Sequence, residues 1–344
     1  MTADPPLPPG ATPGPPTEGP GTDRPPPRTP LAHLPTPAVP ADRLAAALGL
    51  PEGSLWIKHD DLTGIAGGGN KVRKLEFLAS AALAEGADTL VTGGGRQSNH
   101  VRLTAAVANR LGLAATVVLA SDPPERPTGN VVLDEVLGPE LVWAGDLGYY
   151  ALEDAIAATA DRLAGEGRQP YRIHVGGASA VGALGYLHAA AELDAQVPGE
   201  PLVVVADGSG GTHAGLVAGF GDHARVLGVD VGTRPDLDDA VPAMAAATAA
   251  LAGRPAPAGD VQVDHDRVGP GYGAPSDACR EALDLAARHE AALLDPVYTG
   301  KGLAGLVAAV RDGRIDGTRP TVFLHTGGLP ALFSPRYADW VRRP

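Results

Sequence analysis

The feature that most restricts this chain is an alternation. Short runs of β-branched and apolar residues recur, each closed by small residues or glycine and followed by a longer stretch of helical period. Runs such as "DTLVTGG" (88–94), "AATVVLA" (114–120), "LVVVADG" (202–208) and "PTVFLHTGG" (320–328) carry apolar residues on both faces of an extended segment. A strand with two apolar faces has to be covered on both sides, which is the situation of strands in a parallel sheet. Further strand candidates lie at 54–60, 140–145, 171–177 and 225–231. Helix candidates lie at 70–86, 99–112, 151–166, 180–196, 212–222, 236–252, 275–290 and 300–312. The alternation predicts an α/β protein with open, twisted, mainly parallel sheets flanked by helices. A length of 344 residues suits two domains or one large unit, and no internal repeat with matched spacing is present.

The first 29 residues stand apart. "MTADPPLPPGATPGPPTEGPGTDRPPPRT" offers too little apolar surface to offset its ordering entropy, so a disordered Pro-rich tail is expected over 1–29. The rest of the composition excludes several functions. A net charge of −13 argues against nucleic acid and anionic membrane surfaces as partners. The single cysteine, Cys279, rules out an internal disulfide and a Cys-based zinc site, and its helical surroundings read as packing. The histidines form no HxH or HExxH, so no metal is expected. No apolar run reaches membrane-spanning length and no basic-then-apolar leader opens the sequence, so a cytoplasmic setting is the expectation.

In open α/β sheets ligands bind at the carboxyl ends of strands, and four such places here carry unusual residues. In "DLTGIAGGGNKVRKLEFL" (61–78) three glycines run into Asn70, and a helix opens at Lys71. In "VTGGGRQSNHVRL" the residues Arg96, Gln97, Ser98, Asn99 and His100 stand at the entry to a helix. Ser98 or Asn99 suits an N-cap there, and the same pair suits a small-molecule carboxylate. In "VVVADGSGGTHAGL" the residues Gly208, Ser209, Gly210, Gly211 and Thr212 separate a buried strand from a helix. That loop reads as a phosphate nest or a tight turn; it matches neither a Walker A loop nor the dinucleotide fingerprint. The fourth place joins "GPGYGAPS" (269–276), "DPVYTGKGLAGL" (295–306) and "FLHTGGLPALF" (323–333), which set Tyr272, Tyr298 and Thr326 beside glycines. The tyrosines fit an active site or a packed interface.

A phosphate nest, a lysine after a glycine turn and loop tyrosines without metal ligands fit pyridoxal 5'-phosphate (PLP). That cofactor needs a phosphate cup, a lysine for its aldehyde, and partners for its phenolic oxygen and ring nitrogen. On this reading Gly67–Gly69 give clearance for a flat cofactor, Asn70 caps the helix, and Lys71 points into the cleft from its first turn. Lys74, three residues on, shares that face as a structural or local charge. A non-catalytic protein holding a phosphorylated metabolite in the same nest is the alternative.

Taken together, "GGGNKVRKLEFL", "QSNHVR", "GSGGTHAGL", "GPGYGAP", "LDPVYTGKGLAGL" and "LHTGG" resemble the D-cysteine desulfhydrase and 1-aminocyclopropane-1-carboxylate deaminase group of PLP enzymes, from about Leu31 to Tyr337. The resemblance implies the two-domain tryptophan synthase β-like fold (PLP fold type II), with 30–76 and 179–344 as the large domain and 77–178 as the small one. It implies a small amino-acid substrate and a homodimer. It matches Lys71 to the cofactor-holding lysine, Asn99 to the partner of the phenolic oxygen, and Ser98 to the serine near the substrate carboxylate, with Gln97, His100 and Arg96 beside it. By the same match Ser209–Thr212 form the phosphate cup, Tyr272 and Tyr298 are active-site tyrosines, and Thr326 is a ring-nitrogen partner. Thr299 stands where ring-opening deaminases resemble one another in carrying glutamate. A hydroxyl holds the ring nitrogen protonated less well than a carboxylate, which favours β-elimination. Arg96 replaces a usual aliphatic residue and is expected to read a second anionic group or to form a surface salt bridge. Asp207 falls close to the phosphate.

Overall fold

The computed structural model describes residues 27–341, so the Pro-rich head lies almost wholly outside the described residues. Its last residues do not hang free: Arg28 approaches the Glu76 carboxylate, and the Thr29 amide donates to Glu76 O at 3.0 Å. The Glu76 side chain also accepts from the Leu31 and Ala32 amides, at 2.7 and 2.9 Å.

Two sheets form. The larger runs β1 (Ala38–Pro40), β2 (Leu55–His59), β10 (Thr321–His325), β7 (Leu202–Asp207), β8 (Val226–Asp230) and β9 (Val263–Asp264), parallel except for β1 at its edge. The smaller is wholly parallel, in the order β5 (Glu140–Trp143), β4 (Ala114–Leu119), β3 (Thr89–Gly94), β6 (Pro170–Arg172). The helices are α1 (Asp42–Ala47), α2 (Lys71–Ala84), α3 (Asn99–Leu111), α4 (Asn130–Leu137), α5 (Tyr149–Gly165) and α6 (Ala180–Gln196). They continue as α7 (Gly211–Phe220), α8 (Leu237–Leu251), α9 (Asp277–Glu290), α10 (Thr299–Arg311) and α11 (Pro335–Val341).

Every strand and helix expected from the alternation is present, and the two-faced apolar runs behave as the parallel sheet requires. In β7, Val203 and Val205 pack with Tyr186 and Leu216, while Val204 between them packs with Leu303 and Phe323 on the other face. In β3, Leu90 joins Val72, Leu75 and Leu103, while Val91 joins Leu152 and Ile156. Each such side chain contributes about 1.5–3 kcal/mol by leaving water. The sequence gives no candidate for the short elements β1, β9, α1 and α11, nor for α4, eight residues between Gly129 and Gly138 that follow a turn-rich "SDPPERPTG".

A buried ion cluster fixes α2. Arg73 donates from Nε and Nη2 to the two oxygens of Asp60 at 2.8 and 2.9 Å, and from Nη1 to Glu192 on α6 at 2.8 Å. Thr36 donates to Asp60 at 2.7 Å, and the Tyr186 hydroxyl donates to the same carboxylate. Lys58 closes the cluster on Glu192 at 2.9 Å. Burial alone would raise the Asp60 pKa, but the Arg73 charge and these hydrogen bonds hold its carboxyl below the ordinary value.

Candidate active site

Because the strands are parallel, the loops after β3, β6, β7 and β10 gather at one edge of the sheets, and the sequence-predicted residues meet there. Lys71 opens α2 as expected, half-buried at its first turn. One glycine before it, Gly68, has a cause in the fold itself. Gly67, Gly68 and Gly69 all take left-handed φ, and a Cβ on Gly68 would stand 1.9 Å from the Asp61 carbonyl oxygen. The chain's own backbone excludes a side chain there. Asn70 occupies the N-cap position without capping: its amide Nδ2 donates instead to Thr212 Oγ1 at 3.1 Å, and its main-chain N–H donates to Thr326 O at 3.0 Å. Asn70 thus ties the lysine turn to the Gly208–Thr212 loop and to the end of β10.

That loop leads into α7, whose first turn has no side-chain cap. The amides from Ser209 to Thr212 make no main-chain hydrogen bond among the described residues, as the open end of a helix leaves them. Opposite lies Gly176, in a loop the sequence reading did not single out. A Cβ at Gly176 would stand 2.3 Å from Ser209 Oγ and 3.7 Å from Lys71 Nζ, so a side chain there would fill the space between cup and lysine. Its signal was present: "HVGGAS" sets a glycine pair between a strand and the Ser179 N-cap of α6.

Lys74 does more than share the helix face of Lys71. It is fully buried, donates to Gly176 O at 3.1 Å, and its Nζ comes within 2.7 Å of where a Cβ on Gly211 would lie. Burial, then the charge of Lys71, pushes its pKa well down, with Asp207 opposing. Burial pushes the Lys71 amine down to about 8, again against Asp207. Asp207 itself holds His213 Nδ1 at 2.8 Å. Two lysine amines crowded beside amide donors at a helix start form a cradle suited to an anion, and a phosphate monoester would satisfy both the amines and the donors.

The remaining candidates divide. Ser98 caps α3 by accepting from the Val101 amide at 3.3 Å, and its own hydroxyl hydrogen stays available to a carboxylate. Asn99 accepts on Oδ1 from Asn130 Nδ2 at 3.0 Å. Gln97 is engaged by the chain itself: its amide donates to Thr128 O at 2.9 Å and accepts from the Asn130 amide at 2.8 Å, so both ends strap α4 to α3 while the residue also lines the outer cleft beside Arg96. His100 corrects an expectation. It is 2% exposed, bonded to Thr92 Oγ1 at 3.0 Å, and burial followed by the two lysine charges keeps it neutral. It forms a wall behind the lysines.

Tyr272 and Tyr298 meet through their hydroxyls. Tyr298 lies over Gly208, and the Tyr272 ring lies against Gly95. Each loop is pinned from beneath. Asp295 accepts from the amides of Val297, Tyr298 and Thr299 at 2.8 to 2.9 Å, and buried Lys301 donates to Val268 O and Gly271 O at 2.7 and 2.8 Å. Thr299 is a second correction. Its hydroxyl donates to Asp295 Oδ1 at 2.7 Å and the residue is fully buried, so that hydroxyl is engaged by the loop and not offered to a cofactor. Thr326, 7% exposed, has no such hydroxyl partner among the described residues. Arg96 lines an outer cleft of about 580 Å³ together with Arg126, Arg336 and Tyr272, and with Asp122 and Asp146.

Two sheets meeting over a lysine, an anion cup and a tyrosine pair define a protein built to hold a phosphorylated carbonyl cofactor. Residues 29–327 match the family model described as pyridoxal-phosphate dependent enzyme, and the chain belongs to that family. It is 44% identical over 298 residues to a D-cysteine desulfhydrase of Salmonella paratyphi B, covering 81% of this chain and 88% of that protein. It is 43% identical over 312 residues to the D-cysteine desulfhydrase of Salmonella paratyphi A, covering 86% and 93%. Among solved structures, an ACC deaminase homologue superposes with a TM-score of 0.83 at 34% identity, covering 92% of this chain and 95% of that one. Threonine deaminase isoform 2 from Solanum lycopersicum shares the fold, at a TM-score of 0.61 and 16% identity.

The cofactor is therefore PLP, and the residues of the cradle fit it: Lys71 would take its aldehyde, and the Ser209–Thr212 amides with Lys74 would hold its phosphate. Losing a charge-assisted contact costs about 1.5–3 kcal/mol, so Lys74→Gln should weaken PLP binding roughly 10- to 100-fold. Fluorescence titration of the cofactor-free protein checks this, and unchanged affinity would remove Lys74 from the cup. Since the Lys71 amine is neutral only above about pH 8, covalent capture of PLP by cofactor-free protein should accelerate as pH rises through that value. Stopped-flow traces that are flat in pH would contradict this.

Proposed function

We propose that this protein eliminates the β-substituent of a small amino acid, as a D-cysteine desulfhydrase does, giving pyruvate, ammonia and a leaving group such as sulfide. The observation that carries the reading is position 299. A threonine whose hydroxyl is bound to Asp295 offers no carboxylate to the cofactor ring, leaving Thr326 as the neutral partner for the ring nitrogen. Bound PLP supplies an electron sink for the substrate α-carbon. The Ser98 hydroxyl and the amino end of α3 hold the substrate carboxylate. Lys71 Nζ, with its depressed pKa, takes the α-proton. Burial, then neighbouring Tyr272, pushes the Tyr298 phenol well above its ordinary value, so it stays protonated and stabilises the departing group as a hydrogen-bond donor. Tyr272 shares that proton through the hydroxyl pair.

A panel of D- and L-amino acids assayed for pyruvate and sulfide tests the proposal. D-cysteine should yield both, and 1-aminocyclopropane-1-carboxylate should be the poorer substrate. Faster turnover of the cyclopropane would make the deaminase reading the right one. No turnover of any amino acid would leave a PLP-binding protein without catalysis.

The outer cleft favours a second reading of substrate range. Arg96, Arg126 and Arg336 line it, outnumbering the two carboxylates there, Asp122 and Asp146. In a chain of net charge −13 such a local cluster suits a substrate whose β-substituent is itself anionic. Arg96→Gln should lower kcat/KM for anionic β-substituted substrates by about 10-fold while leaving D-cysteine unchanged. Equal losses for both would return Arg96 to a general structural role.

The domain limits belong to the same proposal. All four strands of the smaller sheet fall within 77–178, which supports 30–76 with 179–344 as the large domain. A cytoplasmic homodimer belongs to the proposal as well, and the exposed Val136 and Phe333 are apolar side chains that an interface would cover. Sedimentation measures the oligomer directly.

A further inference from the structure

Asn130 has no place in the reaction as described, yet it is fully buried at the start of α4 with its amide against the two residues on either side of Ser98. Its Nδ2 donates to the Gln97 main-chain oxygen at 2.9 Å and to Asn99 Oδ1 at 3.0 Å. A carbonyl oxygen only accepts, so the end of Asn130 that meets Gln97 has to be the NH2 group. Its second hydrogen then requires an oxygen from Asn99. Asn99 Nδ2 is turned the opposite way, where it has no acceptor among the described residues and is not sealed from solvent. Asn130 is itself held in place, because its main-chain N–H donates to Gln97 Oε1 and the Gln97 amide continues to Thr128 O.

We propose that Asn130 is a positioning residue that fixes the amide of Asn99 so that Nδ2, and not Oδ1, faces the phenolic oxygen of PLP. The inference rests on the reading of Asn99 as the partner of that oxygen. An Asn side chain offers a donor on one edge and an acceptor on the other, and rotation by half a turn exchanges them. Only the donor edge stabilises an oxygen that carries negative charge; the acceptor edge repels it. The one-way chain from Gln97 O through Asn130 to Asn99 removes that choice before the cofactor arrives. α4 therefore serves the site through a residue that never touches the ligand.

The isosteric change Asn130→Asp sharpens the test. A carboxylate there faces the Gln97 oxygen with no hydrogen to give, and it recruits Asn99 Nδ2, turning Asn99 Oδ1 to the cofactor. Asn130→Ala merely frees the Asn99 amide to rotate. The measurement is the pH titration of the visible absorption band of each holoenzyme, together with PLP affinity by fluorescence, in Asn130→Ala, Asn130→Asp, Asn99→Ala and the Asn99→Ala/Asn130→Ala double variant. The expected result is a displaced titration midpoint and an affinity loss of about 10-fold in Asn130→Ala, and larger effects in Asn130→Asp. On the Asn99→Ala background, Asn130→Ala should add nothing. Additive effects in the double variant, or an unmoved band in Asn130→Ala when Asn99→Ala moves it, would overturn the proposal alone. An unmoved band in Asn99→Ala would overturn the reading of Asn99 beneath it. Should Asn130→Asp fail to fold, the Ala cycle decides the question.

Discussion

Replacing Lys71 by alanine is expected to remove the visible absorbance of the holoenzyme and to lower turnover by roughly 10⁴-fold or more, because one side chain carries two tasks. On the proposed reading its Nζ would hold the cofactor aldehyde and, once freed, take the α-proton. The loss should appear in kcat and kcat/KM alike, since neither task is mere substrate binding. The neighbouring lysine gives the contrast. Lys74→Gln should weaken PLP binding yet keep the visible band at saturating cofactor, because Lys74 reaches the cup and not the aldehyde. A Lys71→Ala protein that kept its band, or turned over D-cysteine at the native rate, would move the catalytic assignment elsewhere.

Why the two lysines were unequal in the sequence has a physical reason. Lys71 follows a glycine run and opens a helix, a local signal. Lys74 has meaning only because Gly176 and Gly211 approach it, and these lie 102 and 137 residues further along the chain. Strands announced themselves for the same local reason as Lys71: a parallel strand buried on both faces has to be apolar throughout, as in Val203–Val205. The motif residues Ser98, Asn99, Tyr272 and Tyr298 were legible as types in glycine loops. What their atoms do was not. Gln97, His100 and Thr299 sit among them, and each has a protein partner of its own: Thr128 O, Thr92 and Asp295. The glycine triplet shows the same gap. Left-handed φ and the Asp61 carbonyl explain Gly68, and neither can be read from three adjacent letters. α4 was missed because eight residues bounded by Gly129 and Gly138 give too few turns for a period to emerge, and Asn130 was lost with it.

Removal of Asp60 is expected to cost the fold about 3–5 kcal/mol, the loss typical when one partner of a buried ion pair is withdrawn. Arg73 is 1% exposed and would keep Glu192 as its one carboxylate partner, beside Thr36 Oγ1, while Tyr186 and Thr36 would each lose their acceptor. Asp60→Asn keeps the volume and removes the charge, so it separates electrostatics from packing. Urea unfolding should show a lower midpoint at an unchanged slope for both Asp60→Ala and Asp60→Asn. The pH dependence has a definite sign. The folded carboxyl lies below its ordinary value, so its stabilisation is complete above the unfolded carboxylate pKa, near 4, and is lost as pH falls through the lower folded value. The variants should therefore converge on the parent protein in acid and differ most at neutral pH. Because α2 carries Arg73 between Lys71 and Lys74, loosening the cluster should also weaken PLP binding without touching either lysine. A neutral-pH destabilisation below about 1 kcal/mol would mean that the hydrophobic faces of α2 hold it in place alone.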